Sequence, residues 1–188
     1  MRRTMKSSMG SRKAHCASFL LLAFMAAAPE SRAQEKGAAP RDSVIAAARE
    51  IMGLQKYCAL VTVDSTGQPQ VRTMNPFPPE ADMTVWVATN SRSRKVRELQ
   101  HDPRVCLYYA DHVQASGYVT ITGKAVLVDD MAEKLKRKRE YWDQAFPDWK
   151  YLVLIKVIPE KLEVLNYKRG MLNDPVSWRA PFIEFEHP

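Results

Sequence analysis

Beyond residue 41, apolar and polar positions alternate in short, well-separated segments. Val44, Ile45, Ala48, Ile51 and Met52 recur at helical spacing, and Asp42 or Ser43 supplies a cap, which predicts a helix to about Gln55. Residues 57–63 (YCALVTV) read as a strand, 64–67 as a turn, and 69–75 as a returning strand ended by Pro76, Pro78 and Pro79. Residues 83–89 are a third strand. Residues 91–100 have helical character and stop at Asp102 and Pro103. Residues 104–110 and the long 117–128 follow as strands, with Gly123 marking a bulge or bend. Asp129 or Asp130 caps a charged helix running to about Tyr141. Residues 151–158 and 162–166 are expected to form a last hairpin across Pro159, Glu160 and Lys161.

Six or seven short strands, mostly joined by tight turns, predict a mainly β (α+β) fold: an antiparallel barrel with a few helices outside it. Strands and helices do not alternate regularly and there is no Gly-rich phosphate loop, which argues against a doubly wound parallel sheet.

The segment before residue 34 has a different pattern. Arg2, Arg3, Lys6, Arg12 and Lys13 precede an apolar run over 14–28, and Pro29 and Ser31-Arg32-Ala33 follow. Basic head, short apolar middle and small residues before a cut are the parts of a secretory signal peptide, with cleavage expected after Ala33. The run of about 15 residues is short for a membrane span, the alternative being an uncleaved anchor. Arg2 and Arg3 partly match a twin-arginine signal, without the usual hydrophobic pair after them. The expected organisation is therefore a leader over 1–33, a linker over 34–41 and one domain over 42–188, periplasmic or secreted and with no stable membrane span after cleavage.

Removing the leader changes the charge. The 188-residue chain carries 28 Lys and Arg against 21 Asp and Glu, a net +7, with a pI near 9.4. Six of the cations and one acid lie in 1–33, so the mature chain is about +2. That balance gives no support to nucleic-acid binding. Cys16 leaves with the leader; Cys58 and Cys106 sit in strand-like runs and read as buried free thiols rather than a disulfide. No Cys/His cluster has metal-ligand spacing, so no metal is expected.

One segment carries candidate chemistry. At 88–97 (ATNSRSRKVR) a strand gives way to a helix, and Arg92, Arg94, Lys95 and Arg97 crowd its first turns. Helix N-termini are already electropositive, so cations there are mutually unfavourable unless an anion joins them. Ser91 and Ser93 add hydroxyl donors. Backbone N–H, hydroxyl and guanidinium groups together make a phosphate cradle. The alternative is a solvated basic face with Ser91 as an ordinary N-cap.

From Tyr57 to Ala125 the sequence resembles the pyridoxamine 5'-phosphate oxidase-like flavoproteins, the FMN-binding split barrels, and within them the general-stress-protein branch. Three stretches carry the resemblance: Val71-Arg72-Thr73-Met74; Trp86-Val87-Ala88-Thr89-Asn90 with Ser93-Arg94-Lys95 and Asp102-Pro103-Arg104-Val105 in order behind it; and residues 118–125 (YVTITGKA). The resemblance implies an antiparallel split barrel with flanking helices and FMN as cofactor. Arg94 and Lys95 would bind the FMN phosphate with help from Ser93, and Arg72 would reach it from the neighbouring strand. Thr73, Met74, Ala88 and Thr89 would line the flavin, largely through backbone groups. Tyr118 falls where the oxidases place a glutamine near the flavin. The family pairs two subunits with flavin at their interface, which implies a homodimer and a small-molecule electron donor or acceptor.

True pyridoxamine-phosphate oxidases end in an Arg-x-His-Asp-Arg-like motif. The tail here reads SWRAPFIEF over 177–185, so vitamin B6 oxidation is not supported. That tail either packs over a subunit interface or the flavin mouth, or is a loosely ordered terminus. No acid, base or nucleophile declares itself; a flavin would carry the redox chemistry. The cations of 134–139 read as a solvated helix face. The leading expectation is an FMN-dependent oxidoreductase acting in stress defence. The alternatives are a non-catalytic FMN storage or sensing protein, or a related split barrel holding haem or a deazaflavin.

Overall fold

The computed structural model describes residues 39–186. The expected leader, its cut after Ala33 and linker residues 34–38 lie outside the described residues. The chain forms α1 (Arg41–Leu54), β1 (Cys58–Val63), β2 (Pro69–Met74), β3 (Val85–Asn90), α2 (Arg94–His101), β4 (Arg104–Ala110), β5 (Gly117–Val128), α3 (Met131–Lys136), α4 (Trp142–Ala145), β6 (Leu152–Asn166) and β7 (Phe182–Glu184). The strands make one antiparallel sheet in the order β2-β1-β4-β5-β6-β3, with β7 also on β6. This is the expected split barrel: the sheet curls into a half-barrel with the helices at its flanks. Strict alternation in β1, β4 and β5 sends Leu60, Leu107 and Ile121 inward, where Val44, Ala47, Ala48 and Ile51 of α1 meet them. The helix starts at Arg41 with Pro40 in the capping position, so neither Asp42 nor Ser43 caps it.

The expected last hairpin does not form. Residues 152–166 are one continuous strand that pairs with β5 along its whole length. Pro159 suggested a break, but it falls at a bulge: Thr122 pairs with Lys161 and Gly123 with Pro159, leaving Glu160 as the extra residue. A bulge is one of the few places where a strand tolerates a residue without an N–H. Gly123 makes it possible, because a Cβ there would lie 2.0 Å from the Ile158 carbonyl oxygen. The bulge read from Gly123 is therefore present, and the turn read from Pro159 is not.

The charged helix after β5 is also shorter than its pattern suggested. Asp130 caps it through Glu133 N–H, but it ends at Lys136 rather than near Tyr141. Nor is it a plain solvated face. Lys134 and Arg137 are buried while Leu135 is exposed. Lys134 pairs with Asp129, and Arg137 pairs with Glu133 and with Glu80 at 2.8 Å while stacking 3.8 Å above Trp86. This segment folds down over the outer side of β3 and β6, forming a second cluster from Trp86, Trp142, Leu152 and Leu154. Burial of its own aromatics bends the chain, so local charge periodicity misreads it.

The C-terminal tail is tied down at β7, which pairs with Lys161–Glu163 of β6, and the ring of Phe185 lies 4.9 Å beneath Arg41. Trp178, by contrast, is 75% exposed. Cys58 is a buried free thiol and Cys106 a partly exposed one, facing opposite sides of the sheet. No described helix is long and apolar enough to cross a membrane.

Candidate functional site

The end of β3 turns sharply before α2 begins. Asn90 Oδ1 accepts the N–H of Arg92, and the Asn90 carbonyl accepts that of Ser93. This side-chain-assisted turn delays the helix by three residues relative to the sequence expectation. The capping position is Ser93, not Ser91, and its hydroxyl makes no capping bond. Ser93 Oγ is buried with no hydrogen-bond partner. A buried hydroxyl at a helix N-terminus, beside N–H groups that lack intrahelical partners, is an uncompensated cost unless something binds there.

Four cations were expected around this turn, and they separate into two groups. Arg92 leans away, stacked 3.6 Å from the Tyr151 ring, and Arg97 donates to the Arg92 carbonyl at 3.1 Å. Arg94 and Lys95 face the sheet. Lys95 Nζ donates to Thr89 Oγ1 at 3.0 Å; Arg94 Nη2 donates to Gln70 Oε1 at 3.0 Å. Arg72 joins them from β2, whose alternation points Gln70 and Arg72 to the same side as Thr62 of β1.

Glu98 organises this group and was not anticipated from the sequence. Its buried carboxylate accepts Arg72 Nη2 at 2.7 and 3.0 Å and pairs with Arg94 Nε at 3.1 Å. Thr62, fully buried, donates to Glu98 and accepts from Arg72. Burial pushes the Glu98 carboxyl up, but hydrogen bonds from Thr62 and Arg72 and the charges of Arg72 and Arg94 outweigh it, so the group lies below its ordinary value. Lys95 is also lowered, by burial first and then by the charge of Arg72, with Glu98 opposing. The signal was available: Glu98 sits four residues after Arg94 and between Val96 and Leu99 on the helix face that packs inward.

The other expected contributors are dispersed. Thr89 is buried beside Lys95. Ala88 packs toward the Trp142 cluster, Met74 points into the main core, and Thr73 is exposed on the outer sheet face. Tyr118 does not join the group. Its partner on β6 is Leu165, whereas that of Thr89 is Val153, twelve residues earlier. At about 3.3 Å per residue that is roughly 40 Å of strand. Tyr118 instead pairs with Tyr108 on the outer face, ring centroids 5.8 Å apart. A cleft of about 730 Å³ lies elsewhere, between Gly170–Asp174 and Arg179–Glu184, and contains none of these side chains. Among the described residues, no cluster of three or more His, Cys, Asp or Glu could hold a metal.

The sheet order, the α2 turn and the convergent cations invite comparison with known proteins. The family described as pyridoxamine 5'-phosphate oxidase matches residues 44–166. The chain belongs to this family. The pyridoxamine 5'-phosphate oxidase match spans β1 to β6 and so includes every residue of the Glu98 network. No curated protein matches the chain. Among solved structures, a protein related to general stress protein 26, of the pyridoxinephosphate oxidase family, from Clostridium acetobutylicum superposes with a TM-score of 0.62 at 16% identity, covering 78% of this chain and 96% of that one. General stress protein 26 from Bacillus anthracis gives 0.56 at 23% identity, covering 64% and 92%. A heme binding protein from Mycobacterium smegmatis gives 0.53 at 15%, covering 68% and 55%. At these identities the superpositions speak for the shared fold.

Proposed function

We propose that this member of the pyridoxamine 5'-phosphate oxidase family is an exported FMN-binding flavoprotein that acts as an oxidoreductase on a small-molecule donor or acceptor. The observation that carries the reading is the orphaned Ser93 hydroxyl at the start of α2, directly before Arg94 and Lys95, with Arg94 sharing Glu98 with Arg72 and Lys95 bonded to Thr89. A phosphate oxygen would accept from that hydroxyl and from the helix N–H groups, and would balance the cations. Lys95 keeps two N–H donors beyond the one given to Thr89. An arriving dianion would raise its lowered pKa and hold it charged.

FMN would supply the electron or hydride transfer once bound. The chain's part would be to hold and orient it: Ser93, Arg94, Lys95 and Arg72 at the phosphate, and Thr73, Met74, Ala88 and Thr89 along the ring through backbone groups, since their side chains face different surroundings. Tyr118, on the outer face beside Tyr108 and far along β6 from the partner of Thr89, would reach a flavin at the phosphate site from a second copy. We therefore favour a homodimer joined through the outer sheet face, where Val71, Tyr108 and Tyr118 lie.

The test is what co-purifies. Yellow protein with absorbance near about 370 and 450 nm, the flavin bands, and a released mass equal to FMN is the expected result. A haem spectrum, or colourless protein indifferent to added FMN, would overturn it. Anaerobic reduction by NADH or NADPH followed by turnover with an acceptor separates an enzyme from an FMN store. N-terminal sequencing of the exported form should start at Gln34.

A further inference from the structure

We propose that Glu98 is the positioning residue of the anion site: it acts through Arg72 and Arg94, holding them as a pair before any ligand arrives. The inference rests on the phosphate reading above and adds to it a residue that touches no ligand. Three features of Glu98 lead to it.

The first is saturation. Oε1 accepts from Arg72 and pairs with Arg94, and Oε2 accepts from Arg72 and Thr62. Those four contacts fill the acceptor sites of a carboxylate. Its side chain is only 4% exposed, so it lies behind the two arginines and has nothing left to offer an incoming group. The second is mobility. Arg94 is 65% exposed and belongs to a side chain with many rotamers, yet its Nε is fixed by Glu98 and its Nη2 by Gln70. Ordering it in advance removes an entropy cost from binding. The third is charge. Arg72, Arg94 and Lys95 with Glu98 total +2 in formal charge. That opposes the charge of about −2 on a phosphomonoester near neutral pH. Without Glu98 the three cations would repel one another in the empty site.

The test measures dissociation constants for FMN and riboflavin by flavin fluorescence, and the rise in melting temperature of apoprotein with inorganic phosphate. Wild type should prefer FMN and be stabilised by phosphate. Glu98→Gln should weaken FMN about tenfold or more, as expected for losing a charge-assisted bond, with riboflavin within about twofold and the phosphate stabilisation lost. Combining it with Arg72→Met should cost less than the sum of the two single losses but more than Arg72→Met alone, since Glu98 still holds Arg94 when Arg72 is gone. Glu98→Asp keeps the charge but withdraws the carboxylate, and should still weaken FMN by roughly threefold or more. Unchanged FMN affinity in Glu98→Gln, or equal loss for FMN and riboflavin, would overturn the positioning role. If Glu98→Gln does not fold, Glu98→Asp decides by itself, and unchanged FMN affinity there overturns the proposal. A wild type that does not prefer FMN over riboflavin would bring down the phosphate reading and this inference together; a wild type that does, with insensitive Glu98 variants, brings down only the latter.

Discussion

Lys95 Nζ donates to Thr89 Oγ1 at 3.0 Å, which ties the first turn of α2 to the penultimate residue of β3. The contact joins a surface helix to the inner face of the sheet at the point where the chain reverses. It also holds a half-buried ammonium next to Arg72, a placement that the fold alone does not reward.

Removing the two helix cations should therefore change ligand selectivity. Arg94→Ala with Lys95→Ala is expected to weaken FMN by about tenfold or more while riboflavin, which lacks the phosphate, changes by less than about twofold. Calorimetric titration of both ligands checks this. Equal losses would mean that the cradle lies elsewhere.

The outer face should govern assembly. Tyr118→Glu places a charge against Tyr108 and near Glu163, at a position where burial first and then the charge of Glu163 already raise the Tyr118 hydroxyl pKa. The variant should sediment as a monomer and hold FMN more weakly than wild type. A variant that stays dimeric would show that another surface joins the subunits.

The bulge should be intolerant of any side chain. Gly123→Ala puts a Cβ at 2.0 Å from backbone that cannot move without parting β5 from β6. A loss of about 3 kcal/mol or more is expected by denaturant titration. A near-neutral result would show that the bulge can relocate along β6.

Acid stability should depend on turn aspartates. Hydrogen bonds from Thr66 to Asp64, the Arg104 side chain at Asp102, and the Gln114 N–H with the Ser116 hydroxyl at Asp111 bring all three carboxyls down to about 2. Each folded value lies below the unfolded one of about 3.9. Their stabilisation is thus complete above about pH 4 and is lost as pH falls toward 2. Melting curves from pH 6 to pH 2 should steepen downward in that window, and less so in Asp64→Asn or Asp111→Asn.

Much of this was legible in the sequence wherever one physical rule acted alone. Alternation located β1 through β5, and Gly123 announced the bulge. Thr89, Arg94 and Lys95 of one segment do meet Arg72 of another strand. Where two rules competed, the local one misled. Pro159 predicted a turn, but a proline at a bulge needs no N–H. The charge run at 134–139 predicted a solvated helix, but tertiary burial of Trp86 and Trp142 drew Lys134 and Arg137 inward. Helical spacing could place Glu98 beside Arg94, but its bonds to Arg72 and Thr62 on separate strands could not be read that way. The expected flavin-lining residues were least legible, since Ala88, Met74 and Tyr118 face three different surroundings.

The long strand β6 has a consequence for the order of folding. It pairs with β5 throughout, with β3 at its start and with β7 near its end. Beyond the single bridge of Val87 to Pro76, strand β3 therefore has no neighbouring strand until residues 152–157 have been synthesised, more than sixty positions after it. Contacts of that sequence separation are slow to form. The half-barrel can close only from its C-terminal side, and the Thr89–Lys95 cradle matures with that closure. Acquisition of the ligand would then be among the last events of folding, and a nascent chain lacking β6 would have no cradle to fill.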